Sequence, residues 1–531
     1  MTSWLGRMSG ILAPLPDASL LAGVQQLTAR LRAATTPDER CRVVKTLRTH
    51  AHSRATHEEL GKAIPELVDV LKLERSNLDA VCDALETLYL ICKPENEGAA
   101  GYVELYNAGQ FVEEEGYVGV LLALLEEKES YVRLNTAQLL TTLIQQKAST
   151  LQEYILRAQM GVSRLMDLLV DHRESVRNEG LLLLTHLAHS NQEIQKIVAF
   201  EGAFEKLFFV IDAEGAAEGG IVVQDALNLM NALIAGNVSN QNYFRETSCI
   251  QRLPPLLRLG QTDQWFLTEE RAAILLLALD TISLLVSAHN PNTSTNQTAI
   301  RKHGLLDLVM HLALSRINSP AVRSRALRTL GNVMKDSSDN RNAFMSKVVE
   351  TEDGGQKQPA LHRLLVILLN SRDVSERLGS LYAFKSYLHE NEEGQIALAS
   401  TLRPSPIADG DEDSVESFSI GRRLLHGLIV EGALNGDGFS GWFAGCVLSY
   451  IVADSPTCKK LMLDIPLEIP RSDQPIVSLL AKIGHAIIDV YTSPKGDTLV
   501  LVALLRLLCM WVHDYSPAVK AFFQNAKHLP F

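Results

Sequence analysis

Leu168-Leu169-Val170-Asp171-His172-Arg173-Glu174-Ser175-Val176-Arg177 is the stretch that decides how this chain of 531 residues folds. A leucine pair closes one apolar segment, charged residues follow, and a Val-Arg pair opens the next segment eight residues on. The same arrangement stands 44 residues earlier, with Leu124-Leu125 ahead of Val132-Arg133, and returns in looser form where Leu368-Leu369 precede Glu376-Arg377. Self-similarity at a period of about 40–50 residues is the mark of stacked helical repeats, each too small to bury its own apolar face.

A second set of words keeps register with the first. Ser190-Asn191-Gln192, Ser239-Asn240-Gln241-Asn242 and Asp339-Asn340-Arg341-Asn342 are separated by 49 and 100 residues. Ser, Asp and Asn accept from the free N–H groups at a helix start, so each word is expected to end one helix pair and cap the next helix. Between the words the apolar spacing is helical, as in Leu181, Leu184 and Leu187, or Leu327, Leu330 and Met334. In the stretch from Asn191 to Leu207, Gly202 supplies the tight turn between helices.

The expected fold is therefore all-α: an armadillo- or HEAT-like right-handed α-solenoid of about eleven or twelve repeats, one domain over 1–531. Three segments break the pattern and are expected to be loops: 93–117, with Pro94, Gly98 and Glu113-Glu114-Glu115; 350–360, with Gly354-Gly355; and 403–419, with Pro404, Pro406 and an acidic run.

Composition agrees. The chain is 46% hydrophobic but only 6% aromatic, a usage that suits close-packed helices better than sheets. A net charge of -12 opposes attraction to a polyanion, so nucleic acid is not an expected partner. The seven cysteines are scattered without a CxxC and read as reduced, packed thiols. No apolar run approaches the ~20 residues that span a bilayer, and Leu499 to Val512, broken by Arg506, reads as a buried helix.

Motifs of chemistry are few. Gly436-Asp437-Gly438-Phe439-Ser440-Gly441 matches a dinucleotide-binding turn in letters, with Asp454 as a ribose ligand, but that chemistry needs a strand before it; an inter-helix loop is the expectation. His186 and His189 lie on one helix without a third metal ligand at helical spacing. No nucleophile, P-loop or zinc-protease motif is present, so neither catalysis nor a cofactor is expected. Arg323, Arg325 and Arg328 read as a solvated helix face, or else as a patch for an acidic partner. Residues 1–20 carry an apolar stripe headed by Trp4, Leu5 and Met8, which either packs over the first repeat or contacts a membrane interface.

Longer words then carry a family resemblance. Met160-Gly161-Val162-Ser163-Arg164-Leu165-Met166-Asp167-Leu168-Leu169, Ile194 to Glu201, Ala203-Phe204-Glu205, Gly219 to Asp225 and Ser239 to Asn242, in that order, resemble the globular head of the general vesicular transport factor (transcytosis-associated protein) family of Golgi vesicle tethers. Leu504 to Trp511 and Pro530-Phe531 resemble the end of the same head. The resemblance implies an armadillo-like, non-catalytic head that homodimerises and acts in ER-to-Golgi and intra-Golgi transport. It further implies a cytoplasmic protein, peripheral on Golgi membranes and transport vesicles, with a Rab-type GTPase, SNAREs and other tethering proteins as partners. The family's coiled-coil tail and acidic terminus have no counterpart up to Phe531, so a head alone or a shortened form is expected. An armadillo-type peptide-binding adaptor of the importin or catenin kind, for nuclear import or as a junction-like scaffold, is the alternative; an import adaptor should show recurrent Trp and Asn along its concave helices, and the four tryptophans, Trp4, Trp265, Trp442 and Trp511, are not periodic.

The resemblance is densest around residues 219–253. There Val222, Ala226, Leu229 and Leu233 are expected to face the core of a helix. Gln224, Asp225 and Asn228, with Asn240 and Asn242 beyond, are the expected partner-binding residues.

Overall fold

The structure, a computed structural model, describes residues 18–94, 101–260, 266–287, 290–317, 319–350, 357–403, 419–467, 477–494 and 496–526. Contacts gather the chain into two compact units, Met1–Tyr243 and Phe244–Phe531, where the repeats alone suggest a single domain. Helices make up nearly all the regular structure. The described strands are two short antiparallel pairs, Val348–Glu350 with Lys357–Pro359 and Pro466–Leu467 with Val477–Ser478. The fold is all-α and armadillo-like.

One repeat of the first unit shows why these residues form these elements. Asn191 caps the helix Gln192–Phe200 by accepting from the backbone N–H groups of Glu193 and Ile194, both at 3.2 Å. Gly202, at φ 81°, then turns the chain in the left-handed region where a side chain would be strained. Ala203–Ala213 follows, and Ile221–Ile234 completes the triplet with Val222, Ala226, Leu229 and Leu233 all buried, as the apolar spacing predicts. Leu181, Leu184 and Leu187 are likewise fully buried on Glu174–Ala188. The other two asparagine words are placed differently from expectation. They lie inside the first turn of Val238–Glu246 and Ser338–Met345, and Asn237, one residue before its helix, makes the cap by accepting from Asn240 N–H at 3.2 Å.

The Val-Arg pairs acquire a physical meaning. Arg133 donates to Glu127 O, six residues back, at 2.7 Å, and grips the Asp171 carboxylate of the next repeat at 2.7 and 3.0 Å. Arg177 repeats this with Asp171 O at 3.0 Å and Glu214 at 3.4 Å, and Arg40 does so with Ala34 O at 3.0 Å and Glu74 at 2.7 Å. Burial opposes the charge on Asp171, yet the bonds from Arg133 and the Arg173 backbone outweigh it and hold this carboxyl below its usual range. In the second unit Arg377 donates to Ser371 O at 2.6 Å and Arg323 pairs with Glu376 at 2.9 Å. In these repeats a guanidinium ties the inter-helix turn to its own helix and, where an acid is available, to the neighbouring repeat. Arg323 pairs with Glu376 and Arg325 with Asp280; Arg325 and Arg328 are both exposed.

Residues 93–117 correct the loop expectation. Tyr102–Glu113 and Glu115–Leu124 are helices, and Glu114 is the extended residue between them. Glu113, Glu114 and Glu115 are exposed as expected, but two other polar residues of the segment are buried anchors. Glu104, with no exposure, accepts from Arg54 Nε at 3.0 Å and lies 3.1 Å from His57 Nδ1. Asn107 donates to His57 O and Ile91 O, both at 3.0 Å. Of the other two segments, 357–359 is strand and a helix begins at Ala360; 351–356 and 404–418 lie outside the described residues. Trp4, Leu5 and Met8 also lie outside them.

Candidate partner-binding surface

In the first unit the helices Leu78–Cys92, Ser130–Arg157, Glu174–Ala188 and Ile221–Ile234 pack in sequence, each against the next. Each buries most of its leucines and turns a polar stripe away from the core. On the earlier helices part of that stripe is already engaged. Thr141 Oγ1 donates to Glu179 Oε1 at 2.6 Å, and Gln145 Nε2 lies 3.0 Å from His186 Nε2. Burial raises the Glu179 carboxyl against the opposing Thr141 bond, and burial followed by the His189 charge lowers His186.

Ile221–Ile234 differs. Gln224 and Asp225 are half-buried, Asn228 is exposed, and their side chains make no hydrogen bond among the described residues. Gly219 lets the chain enter the helix closely: a Cβ there would stand 2.9 Å from Glu214 O. The surface therefore offers one carboxylate and two amides with free bonding capacity at i, i+1 and i+4 on one helical face.

Asp225 is the titratable member. Burial raises its carboxyl above the ordinary range, and no cation stands against it. An ionised carboxylate of this kind destabilises the fold above its raised pKa, and the penalty vanishes at pH values where the folded and unfolded chains are both protonated. Asp225→Asn is accordingly expected to raise the melting temperature at about pH 7–8 and to leave it unchanged near pH 3, by thermal melts at both pH values.

Asn240 and Asn242 do not join this face. Asn240 is only 3% exposed, and its amide donates to Gln195 O and Leu233 O, each at 2.8 Å, so it is an internal strut. Gln195 does the same one repeat earlier with Ala188 O at 3.1 Å and Ala232 O at 3.0 Å, and Asn340 does it in the second unit with Val333 O at 2.9 Å. Asn242 is half-buried on Val238–Glu246. Asn240→Ala removes both of these buried amide-to-carbonyl bonds and is expected to cost about 1–3 kcal/mol, measured by urea unfolding.

The remaining sequence candidates resolve structurally. Before Gly436 the chain winds as a π-helix, Gly427–Leu434, and not as a strand. Gly436 turns at φ 77°, Asp437 caps Gly438–Val452 by accepting from Ser440 N–H at 3.1 Å, and a Cβ on Gly441 would stand 3.0 Å from the Gly432 Cα. The three glycines serve a tight turn and close helix packing. His189 Nδ1 faces Ser190 Oγ at 3.1 Å and His186 faces Gln145, so the two rings point to separate partners. Among the described residues Asp336, His389 and Glu390 bring ligand-type atoms within 4.8 Å of one another; all three are exposed, and His389 Nδ1 lies 3.2 Å from Asp336. No single described helix is long and apolar enough to cross a membrane. Thr498–Val512 is less buried than its composition suggests, since Leu499, Val502 and Leu505 line an exposed stripe.

Comparison with known proteins now adds to this geometry. The chain is 36% identical over 533 residues to "Golgin candidate 6" of Arabidopsis thaliana and 35% identical over 523 residues to "General vesicular transport factor p115" of Homo sapiens, each over 96% of its length. The family described as "Uso1 / p115 like vesicle tethering protein, head region" matches residues 348–531. Residues 348–531 thus match this vesicle-tethering head family, and the likeness to the two relatives runs on through the rest of the chain. It spans about half the length of the curated relatives it matches, 58% of the plant protein and 52% of the human one. Crystal structures titled Uso1-1 and Uso1-2 share the fold with TM-scores of 0.82 and 0.80, at 22% and 23% identity, over 96% and 97% of this chain and 82% of each of theirs.

Sequence reasoning missed one feature of the first unit, a cleft of about 580 Å³ between Leu78–Cys92 and Ser130–Arg157. Its signal was present in Tyr131, an aromatic residue beside the buried Val132 at a helix start, where a polar residue would serve the fold equally well.

Proposed function

We propose that this chain is the non-catalytic head of a vesicle tether in ER-to-Golgi and intra-Golgi transport, peripheral on Golgi membranes and transport vesicles. The observation that carries the reading is the 35% identity to a general vesicular transport factor over 96% of the chain. It joins a Rab-type GTPase, SNAREs and other tethering proteins through helix faces of the repeat array, Gln224, Asp225 and Asn228 among them. A repeat array suits that work because it offers a succession of similar helices to a partner, while its arginine and amide ties keep the presenting helices in place.

The head homodimerises. The apolar stripe of Leu499, Val502 and Leu505 supports this, since exposed aliphatic side chains at i, i+3 and i+6 offer a partner helix an apolar surface to bury. Sedimentation at micromolar concentration is expected to give a dimer. The experiment that tests the whole reading is affinity capture on the immobilised chain, comparing Rab-type GTPases loaded with GTP and GDP. Preferential retention of the GTP form is expected; failure to retain either form, with SNAREs also passing through, would sink the reading.

A further inference from the structure

We propose that the cleft between Leu78–Cys92 and Ser130–Arg157 is a docking site for a basic, extended segment of a partner protein, whose Arg or Lys side chains enter it. It lies on different helices from the face of Ile221–Ile234, and its ligand chemistry is argued from its own walls.

Those walls combine two chemistries. Tyr131 is 71% exposed and Leu78 is 40% exposed, with Tyr89 and Leu90 completing an apolar lining. Three carboxylates stand among them. Glu86 is paired with Arg48 at 3.0 Å, whereas Asp79 and Glu129 are exposed and make no ion pair among the described residues. Acids at helix starts favour the helix dipole and by themselves specify no ligand. Here they flank aromatic surface that the fold leaves open.

A long cationic side chain satisfies both kinds of wall. Its aliphatic stem packs on leucine and on a ring face, while its charged head meets Asp79 and Glu129. The cleft already shows half of this arrangement: the Lys93 ammonium stands 4.9 Å from the centre of the Tyr89 ring. The local field has the matching sign. Cys82 is half-buried in the cleft, and its thiol is pushed up first by burial and then by the charges of Asp83, Asp79, Glu86 and Glu129. A metal ion does not fit as well. These carboxylates do not bring three ligand atoms within 4.8 Å of one another, as Asp336, His389 and Glu390 do.

The test is fluorescence anisotropy of the whole chain with a labelled twelve-residue peptide of alternating arginine and leucine, set against the same peptide with glutamate for arginine. Saturable binding of the arginine peptide alone is expected. The double variant Asp79→Asn with Glu129→Gln is expected to weaken it about tenfold, and Tyr131→Ala about threefold or more. The pair Glu201→Gln with Glu205→Gln, on a different surface of the same unit, should stay within about twofold of the parent. All these side chains are exposed, so melting temperatures should match, and thermal melts check that. Equal loss from both acidic pairs would reduce the effect to general attraction by an acidic protein and overturn the proposal. Absence of saturable binding would overturn it too, as would a Tyr131→Ala variant that binds like the parent.

Discussion

Leu184→Asp is expected to unfold the first unit, or bring it close to unfolding, at room temperature. Leu184 has no exposure and sits on Glu174–Ala188 between Ser130–Arg157 and Ile221–Ile234. Truncating such a leucine to Ala costs about 2–5 kcal/mol, and an aspartate adds the penalty of a carboxylate without a partner in an apolar site. The sum is comparable with the whole stability of an ordinary domain, about 5–15 kcal/mol. In a repeat array the damage reaches both neighbours, because each repeat buries the next. Leu182→Asp is the control: two residues away and 39% exposed, it should shift stability by about 1 kcal/mol or less. Circular dichroism melts read both, and a Leu184→Asp protein that melts like its parent would mean that the buried face of this helix is misassigned.

Glu104→Ala is the second large effect, expected at about 3–5 kcal/mol and toward the lower end of that range. The carboxylate is fully buried and holds Arg54 and His57, so its removal strands a buried histidine, while the half-exposed Arg54 can turn to water. Burial alone would raise the Glu104 carboxyl, but bonds from its own backbone N–H, His57 and Arg54 outweigh it and hold the group below its usual range. A carboxylate whose pKa falls on folding stabilises the protein above the unfolded-state value, and that stability is lost as pH drops through the lowered value. The parent should therefore lose stability on acidification below about pH 4, and Glu104→Gln should flatten that part of the profile. Urea midpoints measured from pH 7 down to pH 3 decide it; a variant profile parallel to the parent's would remove Glu104 from the account.

The same residue shows why some of this fold was legible in sequence and some was not. The leucine pairs, the Val-Arg pairs and Gly202 state local rules, apolar period, turn and cap, and the structure uses them in those positions. Residues 93–117 misled because Pro94, Gly98 and Glu113-Glu114-Glu115 read as loop chemistry, while the interior roles of Glu104 and Asn107 between them come only from long-range partners, Arg54 and His57 about 50 positions away. Asn240 misled in the same way: an asparagine suits a surface or a buried strut equally, and its partner Gln195 O lies 45 positions back. The polar face of Ile221–Ile234 was legible because helical spacing alone separates Gln224, Asp225 and Asn228 from the buried Val222, Ala226, Leu229 and Leu233. The cleft beside Tyr131 was not, because it exists only where two helices 50 residues apart meet.

The central claim is that this head recruits transport machinery through an open helix face. Its most direct test is capture of GTP-loaded Rab-type GTPase and of SNAREs by the variant with Gln224, Asp225 and Asn228 all replaced by Ala. These side chains make no hydrogen bond among the described residues, so the variant should melt at or slightly above the parent's temperature while its capture falls at least about tenfold, a loss of roughly 1.4 kcal/mol. A well-folded triple variant that captures both partners as the parent does would contradict the claim.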